Sequence, residues 1–440
     1  MTMDTFIGLS GIIIMLVLIL FTGMTPGLAM LLCGTVGCLV MTPVVNWNTI
    51  FAGPTGMEVW SVFSNYGFTV IPLFVLLGEA MFHAGYSERL FKVAKTWFGQ
   101  KRGGLAITTL LASAGFSAIC GSNTATAATM GCVALPPMTE AGYQKGLKCG
   151  SIAVGSTLGV VIPPSIVLVV YGLYTGVSIS KLFAGSILPG GLLVVSFVAT
   201  VLFLCARHPD WAPGGEASTL RQRIRSLGGV VEVAVLFAMI MGAMFSGIVT
   251  PTEAAGFGTF CGIAWCLMRK TLNWKGLLKS INDTLHISGM VFLILAGATV
   301  FGKFLIMTRL PNQLADAVTT FSLPPVCVLI AIAFCYLIGG CLMDSLAFLM
   351  ISLPLFQPLI VRLGFDPVWF GQLVCLVTTL GAVTPPVGVS SFIVAGLSKD
   401  TSAAQVFKGT MYFLPAYAFT FLMLIFFPHG MVAWLANLVK

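Results

Sequence analysis

Long apolar stretches recur from one end of the chain to the other, separated by short polar segments. They predict membrane-spanning helices near residues 6–22, 27–42, 67–84, 149–176, 184–206, 229–247, 252–268, 284–306, 371–395 and 409–431. These lengths lie close to the roughly 20 apolar residues that a helix needs to cross a bilayer. Because no polar segment is long enough for a separate soluble domain, we expect a single integrated membrane domain of the all-α polytopic class.

Composition narrows the function classes. Of the 440 residues, 58% are hydrophobic and only 8% are charged, and the mean hydropathy is +1.01. The net charge of +8 does not indicate nucleic-acid binding, because the basic residues lie in short loops without interleaved aromatics. The first apolar run has no basic residue before it and no small-residue cleavage site after it, so we interpret it as a retained helix. The twelve cysteines include no CxxC pair and predict neither a disulfide framework nor a zinc site.

Two apolar segments are interrupted by small and polar residues, "CGSNTATAATMG" within about 105–138 and "GGCLMDS" within about 323–356. We interpret both as re-entrant hairpins, the first entering from the cytoplasm and the second from outside. On this topology both termini are periplasmic, and seventeen of the 22 Lys and Arg, among them Lys145 and Lys148, lie in cytoplasmic loops, as the positive-inside rule requires. The alternative is that both segments span the membrane and an extra crossing is hidden, for example in 45–62.

An internal repeat is suggested by two proline-containing motifs, "GVVIPPS" from Gly159 and "GAVTPPV" from Gly381. Two weaker matches follow the same order at nearly the same spacing. They predict two halves: 1–228, with its broken helix at about 149–176, and 229–440, with its broken helix at about 371–395. Inverted halves of this kind are typical of secondary transporters.

Each motif contains a proline pair, Pro163–Pro164 and Pro385–Pro386, inside an apolar stretch. Proline removes a backbone donor and clashes with the preceding turn, so the pair frees several carbonyl groups. Such groups must be buried in protein or line a polar cavity, because hydrocarbon offers them no partner. A simple kink is the alternative, but two pairs in equivalent positions favour a binding site.

Carbonyl and hydroxyl oxygens suit Na⁺, and exposed helix N-termini suit an anionic substrate. A carboxylate at membrane depth costs at least about 2.5–3.5 kcal/mol and marks an ion path. The predicted first Na⁺ site comprises Ser122, Asn123 and Thr124 with carbonyls near Gly159 and Ile162. The predicted second site comprises Asp344, Thr379 and Thr384 with carbonyls near Gly340 and Val383. Candidate substrate-binding residues are Thr126, Ser165, Gly388, Ser390 and Arg309.

For each of these residues a purely structural role stays open as an alternative. Ser and Thr in membrane helices often bond only to their own backbone or allow close packing, and Arg309 also fits an interfacial anchor. We assign Glu79 and Glu253 structural roles, and we place His83, His208, His286 and His429 near the membrane interfaces.

Four motifs together resemble the large membrane subunit of tripartite ATP-independent periplasmic (TRAP) transporters: "GIVTPTEAAGFG" from Gly247, "GSNTATAATMG" from Gly121, and the two proline motifs. The resemblance implies a Na⁺-driven elevator transporter of the ion-transporter superfamily, with a scaffold and a mobile transport domain that holds the hairpins. It also implies a bacterial inner-membrane location, organic anions such as C4-dicarboxylates or sialic acid as substrates, and the same ion-site residues.

The resemblance further implies two partners, a periplasmic substrate-binding protein and a small four-helix membrane subunit, which we expect as a separate chain. The closest alternative is a Na⁺/dicarboxylate or citrate carrier of the same superfamily that works without a binding protein. An intramembrane enzyme is disfavoured because no HExxH, GxSxG or paired-His pattern occurs, and a channel fits paired, non-identical hairpins poorly. We expect Na⁺ as the coupling ion, with no organic cofactor and no transition metal.

Overall fold

The computed structural model describes residues 3–42, 53–215, 218–320 and 324–439. All regular secondary structure in these ranges is helical. Eight of the described helical segments are long and apolar enough to cross a membrane, or nine if the bent pair Ala403–Met411 and Leu414–Phe426 forms one span. The predicted all-α polytopic membrane fold is therefore confirmed.

The helices follow one another with short connections. In the first half they are α1 Met3–Thr22, α2 Pro26–Met41, α3 Pro54–Ser64, α4 Val70–His83, α5 Tyr86–Phe98, α6 Gly104–Cys120, α7 Asn123–Glu140, α8 Lys145–Val161, α9 Ile166–Thr175, α10 Ile179–Arg207 and α11 Leu220–Ser226. In the second half they are α12 Gly228–Phe245, α13 Pro251–Met268, α14 Trp274–Met307, α15 Leu310–Thr320, α16 Pro325–Leu342, α17 Ser345–Arg362, α18 Pro367–Gly381, α19 Val389–Leu397, α20 Ala403–Met411, α21 Leu414–Phe426 and α22 Trp434–Leu438.

Helix α8 forms the centre of the molecule. Every residue from Gly146 to Val161 is buried, as expected of a helix that is surrounded by protein on all sides. Glycines let its neighbours approach closely. A Cβ added at Gly150 would lie 2.5 Å from the carbonyl carbon of Gly409 in α20, and one at Gly155 would lie 2.9 Å from Ser113 Oγ in α6. Helices α6, α7, α18, α19 and α20 pack around α8.

Two helix pairs occupy the predicted hairpin segments. Helices α6 and α7 are joined by Gly121 and Ser122, and α16 and α17 are joined by Met343 and Asp344. The second pair begins at Pro325, and the predicted start at residue 323 lies outside the described residues. Helices α16 and α17 are each long and apolar enough to cross a membrane. Re-entry of both pairs, and the side from which each enters, stay predictions.

The proline pairs interrupt their helices. Pro163 and Pro164 lie between α8 and α9, and Pro385 and Pro386 lie between α18 and α19. In the first break Ser165 begins the new helix as its N-cap. In the second, Gly388 has a φ of 54°, a left-handed conformation that favours glycine. These segments therefore have two helix ends each, with backbone groups that need partners.

The order of hairpin and broken helix recurs at a nearly constant distance along the chain. Helices α7 and α17 begin at residues 123 and 345, a difference of 222, and α8 and α18 begin at residues 145 and 367, also a difference of 222. This spacing pairs Ser122 with Asp344 and Asn123 with Ser345. It agrees with the spacing of the proline motifs, whereas the inversion of one half relative to the other stays a prediction.

The alternative of an extra crossing in 45–62 falls partly outside the described residues, which omit 43–52. The described part of it is covered by α3, which has 11 residues. At 1.5 Å per residue α3 is about 16 Å long, about half the thickness of the hydrocarbon core. Helix α3 alone therefore does not cross the membrane.

An ion pair joins the first turn of α8 to the segment between α19 and α20. Lys148, which the sequence places in a loop, is 1% exposed. Its Nζ donates to both carboxylate oxygens of Asp400 at 3.0 Å and to Thr139 Oγ1 at 2.9 Å. These bonds from Lys148, aided by the Ser398 and Thr401 hydroxyls, lower the pKa of Asp400 to about 2. The pair joins the two halves of the chain.

Replacing Asp400 with Asn should destabilise the protein at neutral pH by roughly 1–3 kcal/mol, because it leaves the buried Lys148 ammonium without a counter-charge. The cost is below that of a fully buried pair, since the Asp400 side chain is 42% exposed. The pKa of Asp400 is lowered from 3.8, so its stabilising effect is complete above that value and is lost as the pH falls towards about 2.

Thermal unfolding in detergent between pH 7 and pH 2 checks this prediction. The difference between the wild type and Asp400→Asn should shrink as the pH falls, whereas the exposed control Asp210→Asn should unfold like the wild type throughout. Equal midpoints for all three proteins at pH 7 would show that the pair contributes nothing.

Candidate functional site

Each hairpin tip is the start of a helix. Ser122 is the N-cap of α7, with its Oγ 3.5 Å from the Ala125 amide. Asp344 is the N-cap of α17 and accepts a hydrogen bond from the Leu346 amide at 3.1 Å. An N-terminus carries partial positive charge and unpaired N–H groups, which favour an acceptor or an anion. Both tips therefore place polar groups inside the apolar part of the chain.

The first tip packs against the first helix break. The Ile166 amide donates to the Gly121 carbonyl at 3.4 Å, and a Cβ added at Gly159 would lie 2.7 Å from the Ser122 carbonyl oxygen. The same oxygen accepts from Thr126 Oγ1 at 2.7 Å. Ile162 ends α8 as its C-cap, immediately before the proline pair. Close approach of tip and break thus requires glycine at position 159.

Three polar side chains cluster at this tip. Ser122 Oγ and Thr124 Oγ1 are 3.1 Å apart. Asn123 Oδ1 accepts from the Thr124 amide at 2.8 Å, while its buried Nδ2 has no hydrogen-bond partner among the described residues. A buried donor without a partner costs about 1–3 kcal/mol, so it needs an explanation such as a ligand. The free group of Asn123 is a donor, which suits an anion better than a cation.

The two tips share one cavity of about 330 Å³. Its polar lining includes Ser122, Asn123 and Thr124 from the first tip and Asp344 from the second, and helices α8, α9 and α14 supply apolar side chains. No Lys, Arg or His of the described chain lines it. The fold therefore brings together residues more than 200 positions apart, around the half-buried carboxylate of Asp344.

The residues of the predicted second site lie around the second tip and the second break. A Cβ at Gly340 would lie 2.7 Å from the Thr378 carbonyl oxygen, so the hairpin helix α16 touches α18 directly. The Gly388 amide donates to the Cys341 carbonyl at 3.0 Å, and Thr384 Oγ1 lies 2.9 Å from Cys341 Sγ. Gly340, Thr384 and Gly388 are thus close to the second break. Asp344, three residues after Cys341, lines the shared cavity.

The oxygens near the second break already have protein partners. The Val383 carbonyl accepts from Ser391 Oγ at 3.1 Å and from Thr410 Oγ1 at 2.9 Å. Thr379 Oγ1 donates to its own helix, at the Leu376 carbonyl. None of these groups lines the cavity that contains Asp344. In this conformation they stabilise the break.

The candidate substrate residues are also spread out. Thr126 and Ser165 are fully buried beside the first break, where Ser165 Oγ caps α9 through the Leu168 amide. Ser390 is fully buried and its Oγ has no partner among the described residues. Arg309 is exposed just after the end of α14 and does not line the shared cavity.

One residue of the tips was missed by the sequence reading. Ser345 is 1% exposed, and its Oγ has no hydrogen-bond partner in the described chain. It follows Asp344 in the second tip as Asn123 follows Ser122 in the first. The 222-residue spacing of the repeat pairs Ser345 with Asn123. This spacing is the signal in the sequence that identifies Ser345 as a tip residue.

A comparison of the sequence with protein families agrees with the resemblance that the motifs indicate. The family described as "Tripartite ATP-independent periplasmic transporter, DctM component" matches residues 13–430. The chain belongs to this family. Its relatives are named as transporter permeases, so this TRAP large permease is a component of a transporter and not an enzyme.

Individual relatives are similar over most of the chain. The C4-dicarboxylate TRAP transporter large permease protein of Pseudomonas aeruginosa is 31% identical over 343 residues, 78% of this chain and 80% of that protein. The sialic acid TRAP transporter large permease protein of Vibrio cholerae is 31% identical over 378 residues, 86% of this chain and 87% of that one.

An isethionate TRAP transporter permease protein of Oleidesulfovibrio alaskensis is 32% identical over 329 residues, 74% of this chain, and the match spans only 52% of that longer protein. The crystal structure of the Alcanivorax borkumensis YdaH transporter aligns with a TM-score of 0.57, at 13% identity, over 94% of this chain and 98% of that one. At this identity the likeness shows the fold alone.

The contact between tip and break generates a stability prediction. Gly159→Ala should destabilise the protein by about 1–3 kcal/mol, because the added Cβ meets the Ser122 backbone and the tip has to shift. Thermal unfolding in detergent measures the effect. Gly191→Ala in α10 is the matched control, because nothing lies within 4 Å of its added Cβ. If both variants unfold at the wild-type temperature, the tip does not rest on α8 as described.

Proposed function

We propose that this TRAP large permease carries out Na⁺-coupled uptake of an organic anion, a carboxylate such as a C4-dicarboxylate or a sialic or sugar acid. The observation that supports it is the convergence of both hairpin tips on one cavity that contains the carboxylate of Asp344 and the unpaired amide of Asn123. The printed names of the relatives, which include C4-dicarboxylate and sialic acid, support the substrate class.

The charges in the cavity give a physical reason for coupling. An anionic substrate would meet the Asp344 carboxylate, and no basic side chain of the described residues lines the cavity to offset the repulsion. Opposite charges a few ångströms apart interact strongly in a buried site. A Na⁺ ion held by Asp344 and by the Ser122 and Thr124 hydroxyls supplies the missing positive charge. Bound cation and bound anion then stabilise each other, which is reciprocal coupling.

Hydrogen-bond donors at the cavity recognise the anionic substrate. The N-termini of α7 and α17 lie at the cavity, and the Asn123 Nδ2 group beside them has no partner in the described chain. Helix N-termini and N–H donors of this kind bind carboxylates. The partly apolar lining by α9 and α14 suits the carbon skeleton of the substrate.

The rest of the proposal concerns the assembly and its movement. A periplasmic binding protein delivers the substrate, and a small four-helix membrane subunit joins this chain as a separate protein in the bacterial inner membrane. The chain termini lie in the periplasm. The hairpins and broken helices move as a transport domain against the remaining helices and carry the cavity across the membrane. The breaks support this role, because unwound backbone at membrane depth is typical of transporter sites.

Asp344→Asn should abolish the stimulation of uptake by Na⁺, because the amide no longer carries the charge that binds the cation. Asp366→Asn is the matched control, since Asp366 is also a helix N-cap, accepting from the Val368 amide at 2.8 Å, but lies outside the cavity. Both variants keep a capping side chain. Uptake into proteoliposomes at increasing Na⁺ concentration measures the effect, and an unchanged Na⁺ response in Asp344→Asn refutes the role of this carboxylate.

Asn123→Ala removes the free donor at the first tip. We expect the KM for substrate to rise roughly 10- to 100-fold, because a hydrogen bond to a charged group contributes about 1.5–3 kcal/mol. We also expect weaker Na⁺ dependence, since anion and cation bind together. Transport assays at varied substrate and Na⁺ concentration check both effects. Wild-type values for both parameters would leave Asn123 with a packing role.

A further inference from the structure

A second cavity, of about 380 Å³, lies between helices α4 and α14 and the hairpin helices α6 and α7. Glu79 of α4 and Asp283 of α14 line it, and His83 lies one helical turn after Glu79 on α4, in contact with both carboxylates. His83 Nε2 is 2.9 Å from Asp283 Oδ2 and 3.8 Å from Glu79 Oε2. One ligand atom from each of the three residues lies within 4.8 Å of the other two.

The cluster has too little positive charge of its own. Glu79 and Asp283 are two carboxylates, and the His83 imidazole is the one basic group within 4 Å of either in the described ranges. The next basic group that acts on Glu79 is Lys279, which is exposed and lies beyond 4 Å of both carboxylates. Uncompensated charges are costly in a partly buried place, so the arrangement favours a bound cation.

The surroundings of the Glu79 carboxylate also favour a bound cation. Its side chain is only 10% exposed, and its carboxylate accepts no hydrogen bond from any residue in the described part of the chain. Glu79 also lies close to the C-terminus of α4, which ends at His83, where the helix dipole disfavours a carboxylate. The structural role that the sequence suggested for Glu79 therefore does not explain its position.

We propose that Glu79, His83 and Asp283 form a binding site for a divalent transition-metal ion, with Zn²⁺ as the type ion. One imidazole nitrogen and two carboxylate oxygens are the usual protein ligands of such ions, whereas Na⁺ prefers oxygen ligands alone. With three protein ligands, a tetrahedral ion keeps a fourth position open. The cavity that Glu79 and Asp283 line is also lined by His286 and by Cys132 of α7. None of the three ligands lines the tip cavity that contains Asp344, although Ala125 and Ile287 line both cavities.

The sequence did not predict this site, and we expected no transition metal from it. His83 and Asp283 are 200 residues apart, and Glu79 and His83 alone do not form a zinc motif. Only the packing of α4 against α14 assembles the three ligands.

The test uses the full-length protein in lipid nanodiscs, purified without a polyhistidine tag and without substrate. Calorimetric titration with Zn²⁺ should show one saturable high-affinity site, and Co²⁺ should give the visible absorption of an ion bound by nitrogen and oxygen. Glu79→Gln, His83→Asn and Asp283→Asn should each weaken binding at least tenfold and abolish that absorption. The control variant is His429→Ala, because His429 is an exposed histidine far along the chain.

Several outcomes would overturn the proposal. They are no saturable Zn²⁺ binding to the wild type, equal binding in wild type and His83→Asn, or loss of binding in His429→Ala instead. Thermal unfolding of each variant shows whether it is folded, and the conservative Glu79→Gln keeps the shape of the side chain if His83→Asn is unstable. Because the titration needs neither Na⁺ nor transport, its result is independent of the proposed uptake function.

Discussion

Backbone groups that lose their helical partners inside a membrane must find others within the protein, and this constraint organises the whole site. The proline pairs at positions 163–164 and 385–386 create such groups in two helices. At the first break the Ile166 amide finds the Gly121 carbonyl, and at the second the Gly388 amide finds the Cys341 carbonyl. Each broken helix is therefore tied to its own hairpin.

This dependence explains why the hairpins end where they do. A tip that must supply a carbonyl to a neighbouring break is held at a fixed depth beside it, and its N-cap residue then lies next to a polar cavity. Ser122 and Asp344 are those N-caps, and their helices direct two N-termini to one place. Glycine at positions 159 and 340 allows the contact, since any larger residue meets the backbone of the partner segment. The polar groups at the cavity and the close packing of tip against break thus both follow from the proline breaks.

Local features of this arrangement were accessible from the sequence because they depend on residue type alone. Apolar length predicted the helices, the proline pairs predicted the breaks, and small polar residues predicted the tips. Partnerships between distant segments were not accessible. Lys148, predicted in a loop, is buried against Asp400, and Asp344, which the prediction placed in the second ion site, also lines a cavity with the first tip. Such pairings depend on how helices cross, which the order of residues does not specify.

The central claim is that this chain moves a carboxylate by means of Na⁺. The most direct measurement is uptake of a panel of labelled carboxylates into proteoliposomes under an imposed Na⁺ gradient, with and without the small membrane subunit and the binding protein. We expect uptake that requires the gradient and both partners. Uptake that proceeds equally without a Na⁺ gradient would contradict the coupling, and uptake by this chain alone would contradict the tripartite assembly.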